Sequence, residues 1–277
     1  MEGITRIRKI KSLIKKLLKH TPFYPVHIGA YIRNLYFWRY IKKLPIEKFV
    51  TVLDAGCGGG EYARKLAIKY PHLRINAYDI ERYASWNDRP KNVNFKQKDL
   101  LRLEEEECYN FILCIDVLEH IPKNHKVLGN IYRALKPGGY FYLHMPSKVQ
   151  KRIFPERFFR EFNNWAREEH IGEMYTLEEL KEVMSTIGFE IVEACKTFGF
   201  FGKIAWEIDR IVDKNTMLKT FITPLLKLFA RFDLYLPKLE GNGILILARK
   251  RIQISAMAKN GQAWKGVCGE ALRYKET

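Results

Sequence analysis

The sequence predicts an α/β domain built on a seven-stranded, mostly parallel sheet with helices on both faces. Three observations predict it. Between residues 49 and 197, short apolar runs alternate with segments of helical periodicity, which is the pattern of βαβ units. Four of those runs end in, or lead straight to, an aspartate: Asp54, Asp79, Asp99 and Asp116. A glycine cluster, Gly56, Gly58, Gly59 and Gly60, lies between the first run and the first helix of the series.

Residues 4–19 place Ile4, Ile7, Ile10, Leu13, Ile14, Leu17 and Leu18 at helical spacing with lysines and arginines between them, so a basic amphipathic helix is expected there. Thr21-Pro22 and Pro25 end it, because proline cannot continue the hydrogen-bond ladder. An aromatic, basic second helix is expected over 28–44, closed by Pro45. Strands follow at 49–53, 74–78, 92–96, 109–115 and 140–144, with helices at 61–70 and 124–135. Pro137-Gly138-Gly139 reads as the stop of the latter helix. The helix at 177–187 has Thr176 as N-cap, Glu179 completing a capping box, and Gly188 as terminator. Strands at 189–196 and 243–248 complete the sheet. They are separated by residues 198–240, far more than a strand-to-strand turn needs, and rich in Phe and Leu, so a helical insertion or lid is expected.

The domain organisation predicted is therefore a basic helical extension over 1–48, a main domain over 49–250 with its insertion at 198–240, and a loosely ordered tail over 251–277. Charge follows the same division. Residues 1–48 carry +10 (12 Lys/Arg, 2 Glu), residues 249–277 carry +5 (7 against 2), and the 200 residues between carry only +2 of the total +17. A basic balance confined to the ends argues against a nucleic-acid-binding core. No apolar run reaches the ~18–20 residues of a membrane-spanning helix. The five cysteines form no CxxC pair, so neither a disulfide framework nor a zinc ribbon is expected. With no secretory signal evident at the start, a cytoplasmic protein is expected, peripheral to the inner face of a membrane if residues 1–20 lie on anionic lipid.

Glycines at a strand-to-helix junction let the chain turn sharply and let a ligand approach the backbone, while the helix start offers free N–H groups. The dinucleotide fingerprint GxGxxG would need glycine at 61, where the chain has Glu61, so a nicotinamide or flavin reading loses ground. Asp54 would repel a pyrophosphate and attract an ammonium group.

The segment Val52–Gly60 resembles motif I of the class I S-adenosylmethionine-dependent methyltransferases. The resemblance extends to Asp79, to Asp99, to Asp116-Val117-Leu118-Glu119-His120-Ile121, and to Leu135-Lys136-Pro137-Gly138-Gly139. It implies a Rossmann-like sheet with S-adenosylmethionine as cofactor. It places Asp54, Gly56, Cys57 and Gly58 at the amino-acid end, Asp79 at the ribose, and Asp99 with the Leu100 backbone at the adenine. Ile80 and Leu100 would flank the adenine faces, and Ile115 and Asp116 would complete the binding site. His120, His144 and His170 are the candidate general bases, since imidazole titrates in the useful range. The ubiquinone-pathway O-methyltransferases are similar at Asp116, Glu119 and His120, which gives a second interpretation in which these three hold a divalent cation such as Mg2+.

The Asn/Asp-Pro-Pro-aromatic string of nucleobase N-methyltransferases is missing after the fourth strand, which argues against nucleic acid as acceptor. The aromatic stretch 154–165 and the insertion fit a water-excluding pocket for a small-molecule or lipid-like acceptor, methylated at oxygen. A cofactor-binding subunit or scaffold without turnover is the alternative, because cofactor motifs report binding and not catalysis.

Overall fold

The apolar runs form strands paired in the order β3-β2-β1-β4-β5-β7-β6 in the computed structural model, which describes residues 21, 23–236 and 240–252. The strands are β1 (Thr51–Ala55), β2 (Arg74–Asp79), β3 (Val93–Gln97), β4 (Tyr109–Ile115), β5 (Leu135–Pro146), β6 (Phe189–Thr197) and β7 (Gly243–Lys250). The pairs β1–β2, β1–β4, β2–β3 and β4–β5 are parallel, and β7 is antiparallel to β5. From β1 the chain moves outward through β2 and β3, then returns to place β4 on the other side of β1. This is a topological switch point, and in open α/β sheets the crevice beyond the carboxyl ends of the strands there is where ligands bind.

The helices are α1 (Ile28–Ile41), α2 (Glu61–Lys69), α3 (Asn124–Ala134), α4 (Arg160–Glu169), α5 (Leu177–Ile187), α6 (Phe200–Val212) and α7 (Thr216–Tyr235). The chain divides into two compact units. The sheet unit comprises residues 44–149, 166–195 and 243–252. Its core joins Leu53, Ile112, Phe141 and Leu143 of the strands to Val127, Leu128 and Ile131 of α3 and Leu180 and Met184 of α5. All five residues of β1 are buried, as expected of a central strand covered on both faces.

The helical unit comprises, among the described residues, those up to 43 together with 150–165 and 196–242. Its interior carries charged side chains that accept from backbone N–H groups. Asp233 of α7 accepts from the N–H groups of Gly199 and Gly202 at 3.2 and 3.0 Å and from the Tyr36 hydroxyl at 3.1 Å. Glu207 accepts from the N–H groups of Ile153 and Phe154. Asp209 accepts from the Ile28 N–H, which opens α1, and pairs with Lys219 at 3.0 Å. Asp233 and Asp209 thus supply acceptors at helix starts, and Glu207 supplies them to a loop, where buried N–H groups would otherwise lack partners.

Three expectations are met closely. The Thr176–Glu179 capping box forms in both directions, and Gly188 ends α5 in the left-handed region. The insertion before β7 is helical, as α6 and α7. Two boundaries differ by three residues or more. The helix of the aromatic segment ends at Ile41, and a single turn at Ile46–Lys48 leads into β1. The segment Pro137-Gly138-Gly139 is not a helix stop, because β5 begins at Leu135. The pairing jumps from Tyr109↔Leu135 to Phe111↔Tyr140, so residues 136–139 bulge out of the ladder. Gly138 takes φ +77°, and a Cβ on Gly139 would lie 2.9 Å from the Lys136 carbonyl oxygen. The basic helix expected at 4–19 and most of the tail lie outside the described residues.

Candidate active site

The loop from β1 to α2 turns through three left-handed glycines, Gly56, Gly58 and Gly60, with φ of +76°, +49° and +84°. Gly60 occupies the N-cap of α2 and has no side chain to offer the free N–H groups there. Asp54, from the preceding strand, takes over that task, with its Oδ2 accepting from the Ala63 N–H at 3.0 Å. Burial pushes the Asp54 carboxyl up to about 7, and the neighbouring charge of Asp79 adds to the rise.

Asp79, at the tip of β2, braces the other side of the loop. Its Oδ2 accepts from the Gly58 N–H at 2.7 Å and its Oδ1 from the Glu81 N–H at 3.1 Å. The segment after β2 folds onto the loop from outside. The Trp86 indole N–H donates to the Gly58 carbonyl at 2.8 Å, and the Ser85 hydroxyl donates to the Gly59 carbonyl at 3.0 Å. Arg64 of α2 donates to the carbonyls of Gly59 and Gly60 and also to those of Ser85 and Asp88, sewing the two segments together. Sequence reasoning missed Arg64, Ser85 and Trp86. The only signal for them was a tryptophan in an otherwise polar stretch after the second strand.

A cleft of about 600 Å³ opens beside this loop. Asp54, Gly56, Cys57, Gly58, Ile115 and Asp116 line it, and Glu61, Tyr62, Arg64 and Ser85 extend it. Beyond Gly58 the space is empty, with no atom within 4 Å of a notional Cβ. Six of the expected cofactor residues therefore share one cleft. Asp99 N-caps the turn Leu100–Arg102 through Leu101 N–H at 2.9 Å. Ile80 is 66% exposed and free to cover a ring, but Leu100 is 4% exposed and belongs to the core. The Leu100 side chain is thus spent on packing. The Cys57 thiol is pushed upward by burial and by Asp54 and Asp79, which removes it as a nucleophile at neutral pH.

The three histidines fall into two groups. His144 of β5 is buried, and its Nδ1 lies 2.6 Å from Oδ1 of Asp116. Asp116 itself sits at φ +53°, a conformation unusual for a residue with a side chain, and its N–H donates to the His144 carbonyl at 2.9 Å. The tips of β4 and β5 are thus tied twice at one point. His120 and His170 meet edge to face at 5.1 Å between ring centres, and the His120 Nδ1 lies 3.0 Å from the Glu169 carbonyl oxygen. Burial, followed by the neighbouring His120, holds the His170 imidazole below its usual range. Glu119, His120 and His170 can bring ligand atoms within 4.8 Å of one another. The cation trio expected from sequence was Asp116, Glu119 and His120. The metal-capable group has His170 in place of Asp116, whose carboxylate is engaged by His144. Gly172 permits this approach, since a Cβ there would lie 2.4 Å from the Leu118 carbonyl oxygen.

An open α/β sheet with a glycine loop at its switch point and acids at the neighbouring strand tips defines a nucleoside-type binding fold of the methyltransferase kind. The comparison with known families names it: residues 7–194 match the family described as "Methyltransferase domain", and the chain belongs to that family. Among relatives, a sterol 24-C-methyltransferase of Kluyveromyces lactis is 25% identical over 222 residues, covering 69% of this chain and 58% of that protein. A ubiquinone biosynthesis O-methyltransferase of Rickettsia prowazekii is 24% identical over 175 residues, covering 60% and 69% respectively. Among solved structures, a Haemonchus contortus phosphoethanolamine N-methyltransferase 2, bound to phosphomonomethylethanolamine and S-adenosylhomocysteine, aligns with TM-score 0.57 at 22% identity over 79% of this chain and 52% of that one. A putative sarcosine dimethylglycine methyltransferase of Galdieria sulphuraria aligns with TM-score 0.55 at 17% identity, covering 79% and 85%. The chain thus spans little more than half the length of the first of these relatives.

Proposed function

We propose that the chain is an S-adenosylmethionine-dependent methyltransferase acting on a small-molecule or lipid-like acceptor, at oxygen, by in-line displacement. One observation carries the reading: the glycine loop, capped by Asp54 and braced by Asp79, opens at Gly58 into a cleft of about 600 Å³ with Asp116 on its wall. The residues suit the cofactor chemically. Gly58 leaves room for close backbone approach, Asp54 offers charge to an ammonium group, and Asp79 and Asp99 offer acceptors to ribose hydroxyls and to the adenine amine. When bound, S-adenosylmethionine supplies a methyl group on a cationic sulfur, so the leaving group is already activated.

The protein's task is then orientation and proton removal. Holding the acceptor oxygen in line with the methyl carbon is worth roughly 7–11 kcal/mol. We assign the base for a hydroxyl acceptor to His144, because Asp116 fixes its ring as a carboxylate fixes the histidine of a nucleophile-activating pair. His170 and His120 form the second candidate group. Two imidazoles and one carboxylate at Glu119, His120 and His170 suit a borderline transition metal better than Mg2+, and this is the second reading of that group.

The decisive experiment is calorimetry with S-adenosylmethionine followed by an acceptor screen with a labelled methyl donor. No cofactor binding overturns the reading; binding without transfer to any acceptor moves it to the subunit or scaffold alternative. Asp79→Asn is expected to weaken cofactor binding by about tenfold or more, by loss of a charge-assisted acceptor. His144→Asn is expected to leave cofactor affinity in place and cut kcat by about 10²–10⁴. Full activity in a chelator overturns the metal reading. We also propose that residues 1–20 bring the protein to an anionic membrane surface, the charge and apolar stripe of that segment supporting it.

A further inference from the structure

Helix α7 is apolar on two faces. Its inner face is packed: Thr223, Leu226 and Ala230 are fully buried, and Asp233 caps the start of α6. Its outer face nevertheless presents Met217, Leu218, Phe221, Leu225, Leu228, Phe232 and Tyr235 to solvent, with Met217, Phe221 and Tyr235 each 68–77% exposed. At 100° per residue these seven fall within an arc of about 100°. Singly exposed apolar residues are ordinary, but an unbroken stripe along a 20-residue helix, about 30 Å, marks a surface that meets something apolar. The stripe continues onto α6, where exposed Phe200 packs edge-on against Phe201, and Phe201 reaches Phe229 and Phe232.

Charge identifies the occupant. Exposed Arg231 borders the stripe along one flank, one turn from half-buried Lys227, whose ammonium donates to the Tyr24 carbonyl at 3.1 Å, and the Arg39 guanidinium stands 5.7 Å over the Tyr235 ring at its end. The one acid in α7, Asp233, points inward. The exposed face thus combines apolar side chains and cations with no carboxylate. A second copy docked on it through a twofold axis would bring up the same surface, with no acid to answer Arg231. A bilayer with anionic headgroups answers both features, and no helix among the described residues is long and apolar enough to cross one. We propose that α7 lies in the plane of an anionic lipid surface, with Phe221, Leu225, Leu228 and Phe232 in the acyl boundary and Arg231 among the headgroups. The inference is independent of methyl transfer and adds a second, folded contact to that proposed for residues 1–20.

The test uses the full chain and vesicles of phosphatidylcholine with or without phosphatidylserine. The protein should co-sediment with the phosphatidylserine vesicles, and Leu225→Ser/Leu228→Ser should reduce this by about tenfold or more. Both side chains are exposed, so circular dichroism and thermal melting of the double variant should match the parent. In F221W, brominated acyl chains should quench fluorescence beyond the level of the parent. Vesicle binding without that extra quenching would overturn the proposal and leave residues 1–20 as the contact. Binding unchanged by the double substitution would overturn it too, as would a dimer that the double substitution dissolves in a protein with no vesicle affinity.

Discussion

Asp54 is the residue on which local structure and chemistry meet. It caps α2 from a distance of nine residues because Gly60, needed for its left-handed turn, cannot cap anything. The same burial that shields this bond raises its pKa from an ordinary 3.8 to about 7. Between those two values the folded chain holds a proton that the unfolded chain has lost. Stability therefore falls as pH rises from about 4 to about 7 and levels off above, by a few kcal/mol at most. Asp54→Asn keeps an oxygen for the Ala63 N–H and removes the titration, so its melting temperature should be flatter over that range than the parent's. A cationic ligand favours the ionised carboxylate, so cofactor affinity should climb toward pH 7 and then plateau, with a proton released on binding. Calorimetry in buffers of unlike ionisation heat reads that proton directly, and Asp54→Asn should abolish it.

The β1–α2 loop makes separable predictions for its glycines. At Gly60 a Cβ would lie 2.3 Å from the Phe95 ring as well as at φ +84°, so Gly60→Ala should cost stability, about 2–4 kcal/mol in denaturant unfolding. At Gly58 there is left-handed strain but nothing to strike, so Gly58→Ala should cost only about 1 kcal/mol. Its larger effect should appear in cofactor titration, because the methyl group enters the cleft. If both variants lose stability equally and Gly58→Ala binds as the parent does, the ligand does not approach the loop there. The loop was legible in the sequence because glycines after an apolar run have few other uses. The braces from Trp86, Ser85 and Arg64 were not, since they depend on how the 81–89 segment folds back, and neither periodicity nor composition encodes that. The β5 start failed for a similar reason: Pro-Gly-Gly signals a break in regular structure, and only the register shows the break to be a bulge within a strand.

At the scale of the whole molecule, the sequence reads well where a hydrophobic pattern sets the structure and poorly where distant segments converge. Alternation between 49 and 197 was enough for the sheet and its acid-tipped strands. The separation of His144, paired with Asp116, from His120 and His170 required three-dimensional coordinates, because residues 120 and 170 meet only when the segment after α4 returns to the β4 tip. The helical unit is the extreme case, built from a stretch before β1 and two more that interrupt the sheet sequence around β6, and held by acids that look in sequence like surface charges. Asp233 decides its integrity. Three donors from two places in the chain, Tyr36 of α1 and Gly199 and Gly202 at the start of α6, converge on its carboxylate, and a Cβ on Gly202 would lie 2.8 Å from its Oδ2. Asp233→Ala strands two buried N–H groups and leaves the Tyr36 hydroxyl only the residue-233 carbonyl at 3.3 Å, so a loss of about 3–5 kcal/mol is expected. Asp233→Asn keeps acceptors for two of the three donors and should lose less. Hydrogen exchange locates the damage: α6 and α7 should lose protection first in Asp233→Ala, while β1, β4 and the core of α3 keep theirs. Equal loss of protection across β1 and α7 would mean that the two units unfold as one, and that the buried carboxylate stabilises the whole chain and not the helices alone.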